Sequence, residues 1–205
     1  MRTAVTCALI VLSGLAAFSE VSAGFRVVTS EAARRLAVRE HAPQIPDAML
    51  AGATAHSLHD DLARDGRIAL VDFIYTRCET VCSVLGTEFQ QLQQELKRRG
   101  LQDRVRLISI SFDPADDANA LARYASRVHA DALVWRFERV ADPQALRRLL
   151  DAFGIVVVPD GMGGFVHNAA IHTLAPDGRL IRIDDVGEAR IALRSALARA
   201  QVAPR

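Results

Sequence analysis

Three things are scarce in this 205-residue chain, and each shortage excludes something. Lysine occurs once, at Lys97, and the other basic residues are scattered arginines; 25 basic side chains nearly cancel 24 acidic ones, for a net charge of +1. No basic stripe or patch is visible, which argues against a nucleic-acid partner. Long apolar runs are also missing. The longest, from Ala4 to Phe18, falls short of the ~20 residues that span a bilayer comfortably. Cysteine appears three times, at Cys7, Cys78 and Cys82, too rarely for a disulfide scaffold. With half of its residues apolar, the chain is long enough to build a proper core without a covalent staple.

The N-terminus reads as an export signal over residues 1–23. Met1-Arg2 supplies the charged start, the apolar stretch follows, and Val21-Ser22-Ala23 ends it with small residues. The expected location is the far side of the membrane, with an anchored form if the N-terminus stays uncleaved. Cys7 lies inside the signal, so the mature chain would carry only Cys78 and Cys82. Residues 24–45, rich in Arg, Ala and Glu and closed by Pro43, read as a linker or short helix. Residues 46–205 read as one domain.

The domain begins weakly, with a small hairpin around Met49-Leu50 and His56-Ser57-Leu58, and then becomes regular. Ile68 to Tyr75 is a continuous apolar strand, and Cys82 to Arg99 is an amphipathic helix with Val81, Leu85, Phe89, Leu92 and Leu96 at helical spacing. A strand at Val105 to Phe112, a helix from Asp117 to Val128, a strand at Leu133 to Arg139 and a helix from Pro143 to Phe153 continue the alternation. The glycine-rich stretch Val156 to Gly164 reads as flexible. Strands at Asn168 to Leu174 and Arg179 to Ile183 flank the turn signal Pro176-Asp177-Gly178, and a helix from Glu188 to Ala200 closes the chain. This pattern specifies an α/β, thioredoxin-like fold: a central mixed β-sheet flanked by helices.

Chemistry concentrates at Cys78-Glu79-Thr80-Val81-Cys82. With a helix starting there, the i,i+4 spacing puts both sulfurs on one face at its positive end, where thiolates are favoured. Such a pair can close a disulfide or grip a soft metal. A purely structural disulfide gains little, because the loop it closes is short. The loop lies at the carboxyl end of the first core strand, where open α/β sheets place their sites. His167, just before the terminal hairpin, is positioned by the same fold to face it. Two thiolates and an imidazole suit copper, with zinc as competitor.

Three segments then resemble the SCO/SenC family of copper-binding assembly proteins. Phe73 to Cys82 contains the Tyr-Thr-x-Cys-x-x-x-Cys signature; Ser111-Phe112-Asp113-Pro114-Ala115-Asp116-Asp117 resembles the family's Ser-x-Asp-Pro-x-x-Asp stretch; His167 stands nine residues before Pro176. The resemblance covers roughly residues 46–200. It implies a domain in the bacterial periplasm that binds one copper, as Cu(I) or Cu(II), through Cys78, Cys82 and His167. The implied partners are the copper subunit of cytochrome c oxidase, whose CuA centre would be matured by copper delivery or thiol reduction, or another copper chaperone. Glu79-Thr80, Ser83 and Val166 depart from the family pattern and bear on affinity and partner choice.

On this reading the chain is not an enzyme in the strict sense. The rival is a metal-independent thiol-disulfide oxidoreductase using Cys78 and Cys82; against it, three residues rather than two separate the cysteines, and His167 stands where such enzymes carry a cis-proline. A peroxidase and a zinc-stabilised binding domain are weaker readings. His172 is expected to be structural, His56 and His59 solvated, Met162 not a ligand, Asp113 and Asp117 turn and helix caps, and the arginines of 190–199 a solvated face.

Overall fold

The computed structural model describes residues 2–22, 24, 27, 29–51, 54–78 and 81–202. The chain divides into two compact units, Met1–His41 and Ala42–Arg205. The first holds α1 (Arg2–Val21) and α2 (Ser30–His41), so the short-helix reading applies to residues 30–41. The Thr29 hydroxyl accepts from the Ala32 N–H at 3.1 Å and starts α2, and an Arg35–Glu31 pair at 2.9 Å spans its first turns. Among the described residues no helix is long and apolar enough to cross a membrane.

The second unit runs β1 (Met49–Ala51), β2 (Ala55–Ser57), α3 (Leu58–Asp65), β3 (Ile68–Ile74), α4 (Val81–Arg99), β4 (Val105–Ser111), α5 (Ala118–Arg127), β5 (Trp135–Val140), α6 (Pro143–Phe153), β6 (Val157–Pro159), β7 (Phe165–His167), β8 (Ala170–Leu174), β9 (Leu180–Asp185) and α7 (Ala189–Val202). Seven strands form one sheet in the order β2-β1-β5-β4-β3-β8-β9, while β6 and β7 pair separately. β3, β4 and β5 are parallel, and β8 pairs antiparallel with both β3 and β9. This mixed sheet with helices around it is the thioredoxin-like architecture that the alternation of elements specified.

Every residue of β3 and β4 is buried, as befits central strands covered on both faces. On one face Leu85, Phe89, Leu92 and Leu96 of α4 and Ala192, Leu193 and Ala196 of α7 pack with Leu70, Leu107 and Trp135. The other face carries Phe73 against Phe153, ring centroids 5.0 Å apart, with His172 5.0 Å from Phe153. His172 is fully buried and its Nε2 lies 3.2 Å from the Phe153 carbonyl, which makes it structural. Caps fix the ends: Asp142 accepts from Gln144 and Ala145 N–H before Pro143 opens α6, and Gly154 at φ 67° ends it. A charge also lies inside β4: Arg106 is buried and donates through Nη1 to Asp61 of α3 at 2.7 Å, with Asp65 at 3.3 Å, while its Nε and Nη2 are buried without a hydrogen-bond partner among the described residues.

Two expectations are corrected. The stretch 156–164 is not flexible throughout: Val157, Val158 and Pro159 pair with His167, Val166 and Phe165, and the chain turns at the tip between them. Asp160 Oδ1 organises that tip by accepting from the Met162 and Gly164 N–H at 2.8 and 2.9 Å. His56 and His59 are half-buried and hydrogen-bonded rather than fully solvated. The β1–β2 hairpin adds to the edge at β5, leaving His56 4.0 Å from Glu138, while a His59 ring nitrogen meets the Ile45 carbonyl at 2.9 Å.

Candidate metal centre

Cys78 follows β3 by four residues and is buried, 6% exposed. The chain reaches it through a turn in which the Cys78 N–H donates to the Tyr75 carbonyl at 3.2 Å. Cys82 stands in the first turn of α4; its side chain, with Glu79 and Thr80, lies outside the described residues. α4 begins at Val81, so Cys78 stands in the loop before the helix rather than at a helix start near Cys78, and the expected placement of both cysteines on one helical face does not apply to Cys78; the first N–H groups of α4 open beside the cysteine loop.

What holds this loop comes from the turn after β4. Asp116, 2% exposed, accepts from the Thr76 N–H at 2.8 Å, the Thr76 hydroxyl at 2.6 Å and the Ser111 hydroxyl at 2.6 Å. Asp113 accepts from Arg77 Nη2 at 2.8 Å and from the Ala115 N–H at 2.9 Å. Arg127 of α5 donates to the Thr76 carbonyl at 3.0 Å, its guanidinium 4.8 Å from the Tyr124 ring centroid. The Ser111-to-Asp117 motif is therefore a clamp on residues 76–77. Asp117 caps α5 by accepting from the Ala120 N–H at 2.7 Å, and Asp113 caps its turn as expected.

His167 arrives on β7 from the other side. Tyr75 links the two: its hydroxyl donates to the Phe165 carbonyl at 3.2 Å, and its ring lies 6.2 Å from His167 and 5.5 Å from Phe112. Phe112 in turn lies 4.9 Å from the imidazole. One aromatic group of Tyr75, Phe112 and Phe165 thus sets the histidine strand against the loop that carries Cys78. Asn168 secures the hairpin base, accepting from the Val156 N–H at 2.7 Å and donating to the Gly154 carbonyl at 2.8 Å.

His167 Nδ1 lies 2.9 Å from the Asn168 carbonyl, so it carries the proton and Nε2 carries the lone pair. Burial pushes the imidazole pKa down, against a smaller upward pull from that carbonyl. A neutral ring with Nε2 as donor atom is the metal-binding form. Met162 sits at the hairpin tip, 89% exposed. Among the described residues no three metal-binding side chains cluster, Cys82 being outside that set.

The chain matches the SCO1/SenC family over residues 53–201. The chain belongs to that family. An SCO1 protein homologue of Bacillus subtilis is 30% identical over 120 residues, a span covering 57% of this chain and 61% of the relative. The match therefore covers less than two thirds of that relative's length. BsSco, described as a member of the Sco family of cytochrome c oxidase assembly proteins with a disulfide switch, superposes with a TM-score of 0.66 at 22% identity, covering 78% of this chain and 95% of its own. Bradyrhizobium japonicum ScoI, solved with copper bound, gives 0.60 at 23% identity, covering 78% and 98%. The SCO1/SenC family is associated with copper binding and cytochrome c oxidase assembly.

Several functional residues escape a reading of the sequence. Asp116 is visible only as part of a motif, and Tyr75 only as the end of an apolar run. Asp72 is the most unusual. It is fully buried in the middle of β3 opposite Ser109, and burial pushes its pKa up to about 7, against a smaller downward pull from the Ser109 side chain. A single acid inside an otherwise apolar strand was the available signal. Cys78 also lines a cleft of about 420 Å³ with Arg77, Gln90, Tyr124 and Arg127.

Proposed function

We propose that this chain is an exported copper-binding assembly factor for the CuA centre of cytochrome c oxidase, carrying copper as cargo on Cys78, Cys82 and His167. The observation that carries the reading is the aromatic link: Tyr75 hydrogen-bonds β7 and packs between the turn holding Cys78 and the ring of His167. The donor chemistry fits the metal. Cysteine sulfur is a soft ligand, a neutral imidazole offers Nε2, and sulfur with nitrogen suits both copper oxidation states. Binding would release the thiol protons, so affinity should rise with pH. The partners that follow are the oxidase's copper subunit or another copper chaperone, met in the periplasm, with residues 1–23 acting as export signal or anchor.

The test is an anaerobic titration of the reduced full chain with Cu(I) and Cu(II), read by absorption and stoichiometry. One equivalent with sulfur-to-copper charge transfer is expected, lost in Cys78→Ser and in Cys82→Ser. Equal copper affinity in Cys82→Ser and the unmodified chain would refute the reading. A metal-independent thiol-disulfide oxidoreductase is the second reading, favoured by the opening of Cys78 onto a cleft. It requires efficient reduction of a disulfide by a chain that binds no copper.

A further inference from the structure

The cleft beside Cys78 is made of parts that the copper reading does not use. Its described lining runs from the loop residues Thr76, Arg77 and Cys78 to α4 at Thr87 and Gln90 and to α5 at Tyr124 and Arg127. At about 420 Å³ it is of ligand size. Two guanidinium groups border it, and no carboxylate is among its described lining residues.

Both guanidiniums are held in place before any ligand arrives. Arg77 spends one nitrogen on Asp113 while its side chain stays 55% exposed. Arg127 is steered by the Thr76 carbonyl and by the face of Tyr124. Each planar fork keeps further N–H donors, the geometry that suits a carboxylate. Preorganisation matters here because a long flexible side chain otherwise loses entropy on forming an ion pair.

We infer that this cleft reads a carboxylate carried close to the sulfur of the molecule that exchanges with Cys78, so that acidic thiols and disulfides are preferred over neutral ones. The inference rests on the reading of Cys78 as an exchanging thiolate. Asp113 and Asp116 lie buried behind the loop and dampen the long-range field, so the preference should come from contact rather than from steering. It should therefore survive moderate salt.

The reaction that reads it out is simple exchange. The Cys78 thiolate attacks one sulfur of a disulfide, a new S–S bond forms to that sulfur, the old S–S bond breaks, and the other half leaves as a thiolate. The chain to use is the full chain with Cys7→Ser and Cys82→Ser, in which Cys78 is the single thiol. Its rates are compared for a disulfide-linked peptide with Asp and Glu beside the cysteine and for the Asn and Gln counterpart. The acidic peptide should react about three- to tenfold faster, as expected for two preorganised surface contacts. Arg77→Gln with Arg127→Gln should bring the ratio to about one, and the two Arg→Lys changes should retain part of it.

Because the ratio is read within one protein, any loosening of the loop that slows both peptides cancels. A ratio near one in the starting protein, or one unchanged by the Arg→Gln pair, overturns the inference. Glutathione disulfide distinguishes the sources: an arginine-dependent rate like that of the acidic peptide assigns the cleft to small acidic thiols, and a rate independent of the arginines assigns it to acidic polypeptide segments. Copper titrations of the unmodified chain and of the Arg→Gln pair, with all cysteines present, separate the two readings. Copper bound at one equivalent by both, with the preference unchanged by the Arg→Gln pair, leaves the copper reading intact and overturns the cleft; failure of the unmodified chain to bind copper, with the preference lost in the Arg→Gln pair, leaves the cleft intact and overturns the copper reading.

Discussion

The two sides of the candidate centre are built differently. Cys78 sits on a turn clamped to buried carboxylates, with Asp116 alone accepting three hydrogen bonds from Thr76 and Ser111. His167 sits on a two-stranded hairpin outside the main sheet, held by ring contacts, Asn168 and one tyrosine hydroxyl. Charge-assisted bonds in a buried site are strong and directional, whereas aromatic edges and neutral hydrogen bonds are weaker and yield to small displacements. On the proposed copper reading, the thiol side would fix position, and the imidazole side would follow a change of oxidation state or of partner.

The comparison can be broken most strongly at Asp116. Asp116→Ala strands three donors around residues 76 and 111 and should cost on the order of 5 kcal/mol in denaturant melts. Copper affinity should fall with it. If stability is unchanged, the clamp is not what orders the cysteine side.

Asp72 sharpens the same side through pH. Its folded pKa of about 7 lies above the ordinary 3.8, so the folded state keeps the proton that the unfolded chain loses. Below pH 4 both states are protonated and no cost arises; stability then falls as pH rises from about 4 to about 7. Asp72→Asn should leave stability unchanged near pH 4 and raise it by up to roughly 4 kcal/mol at pH 8. Thermal melts across that range check it, and a gain that is independent of pH contradicts it.

The histidine side should give smaller effects. Tyr75→Phe keeps the ring but removes the bond to the Phe165 carbonyl, at a cost of about 1 kcal/mol. Amide exchange should quicken on β6 and β7 and stay unchanged on β3 and β4. Met162→Ala, at the exposed tip, should change stability by less than about 0.5 kcal/mol and leave copper affinity alone, read in the same melts and titrations.

Much of this layout is legible in the residues. A continuous apolar run marks β3, helical spacing marks α4, and Pro176-Asp177-Gly178 marks the β8–β9 turn. Cys78 and Cys82 stand out by their spacing, and His167 by its family spacing before Pro176-Asp177-Gly178. What stays hidden depends on long-range contact. The β6–β7 hairpin is masked by its glycines, which read as freedom although Asp160 uses Gly164 to tighten the tip; a Cβ there would meet Asp160 Oδ2 at 2.6 Å. The contacts of Asp116 and Arg127 with Thr76 span 40 and 51 residues, and that of His56 with Glu138 goes with an edge pairing that local pattern does not encode. Asp72 shows the limit from the other direction, since its burial follows from the apolar run around it and its raised pKa does not.

The most direct test of a fixed thiol side and an adjustable imidazole side is the affinity of reduced His167→Ala for Cu(I) and for Cu(II), by competition with chelators, set against the unmodified chain. Two thiolates alone can hold the softer ion, so the variant should keep Cu(I) binding within a few-fold and lose at least about tenfold in Cu(II) affinity. Equal losses for the two ions, or no loss for either, would contradict it.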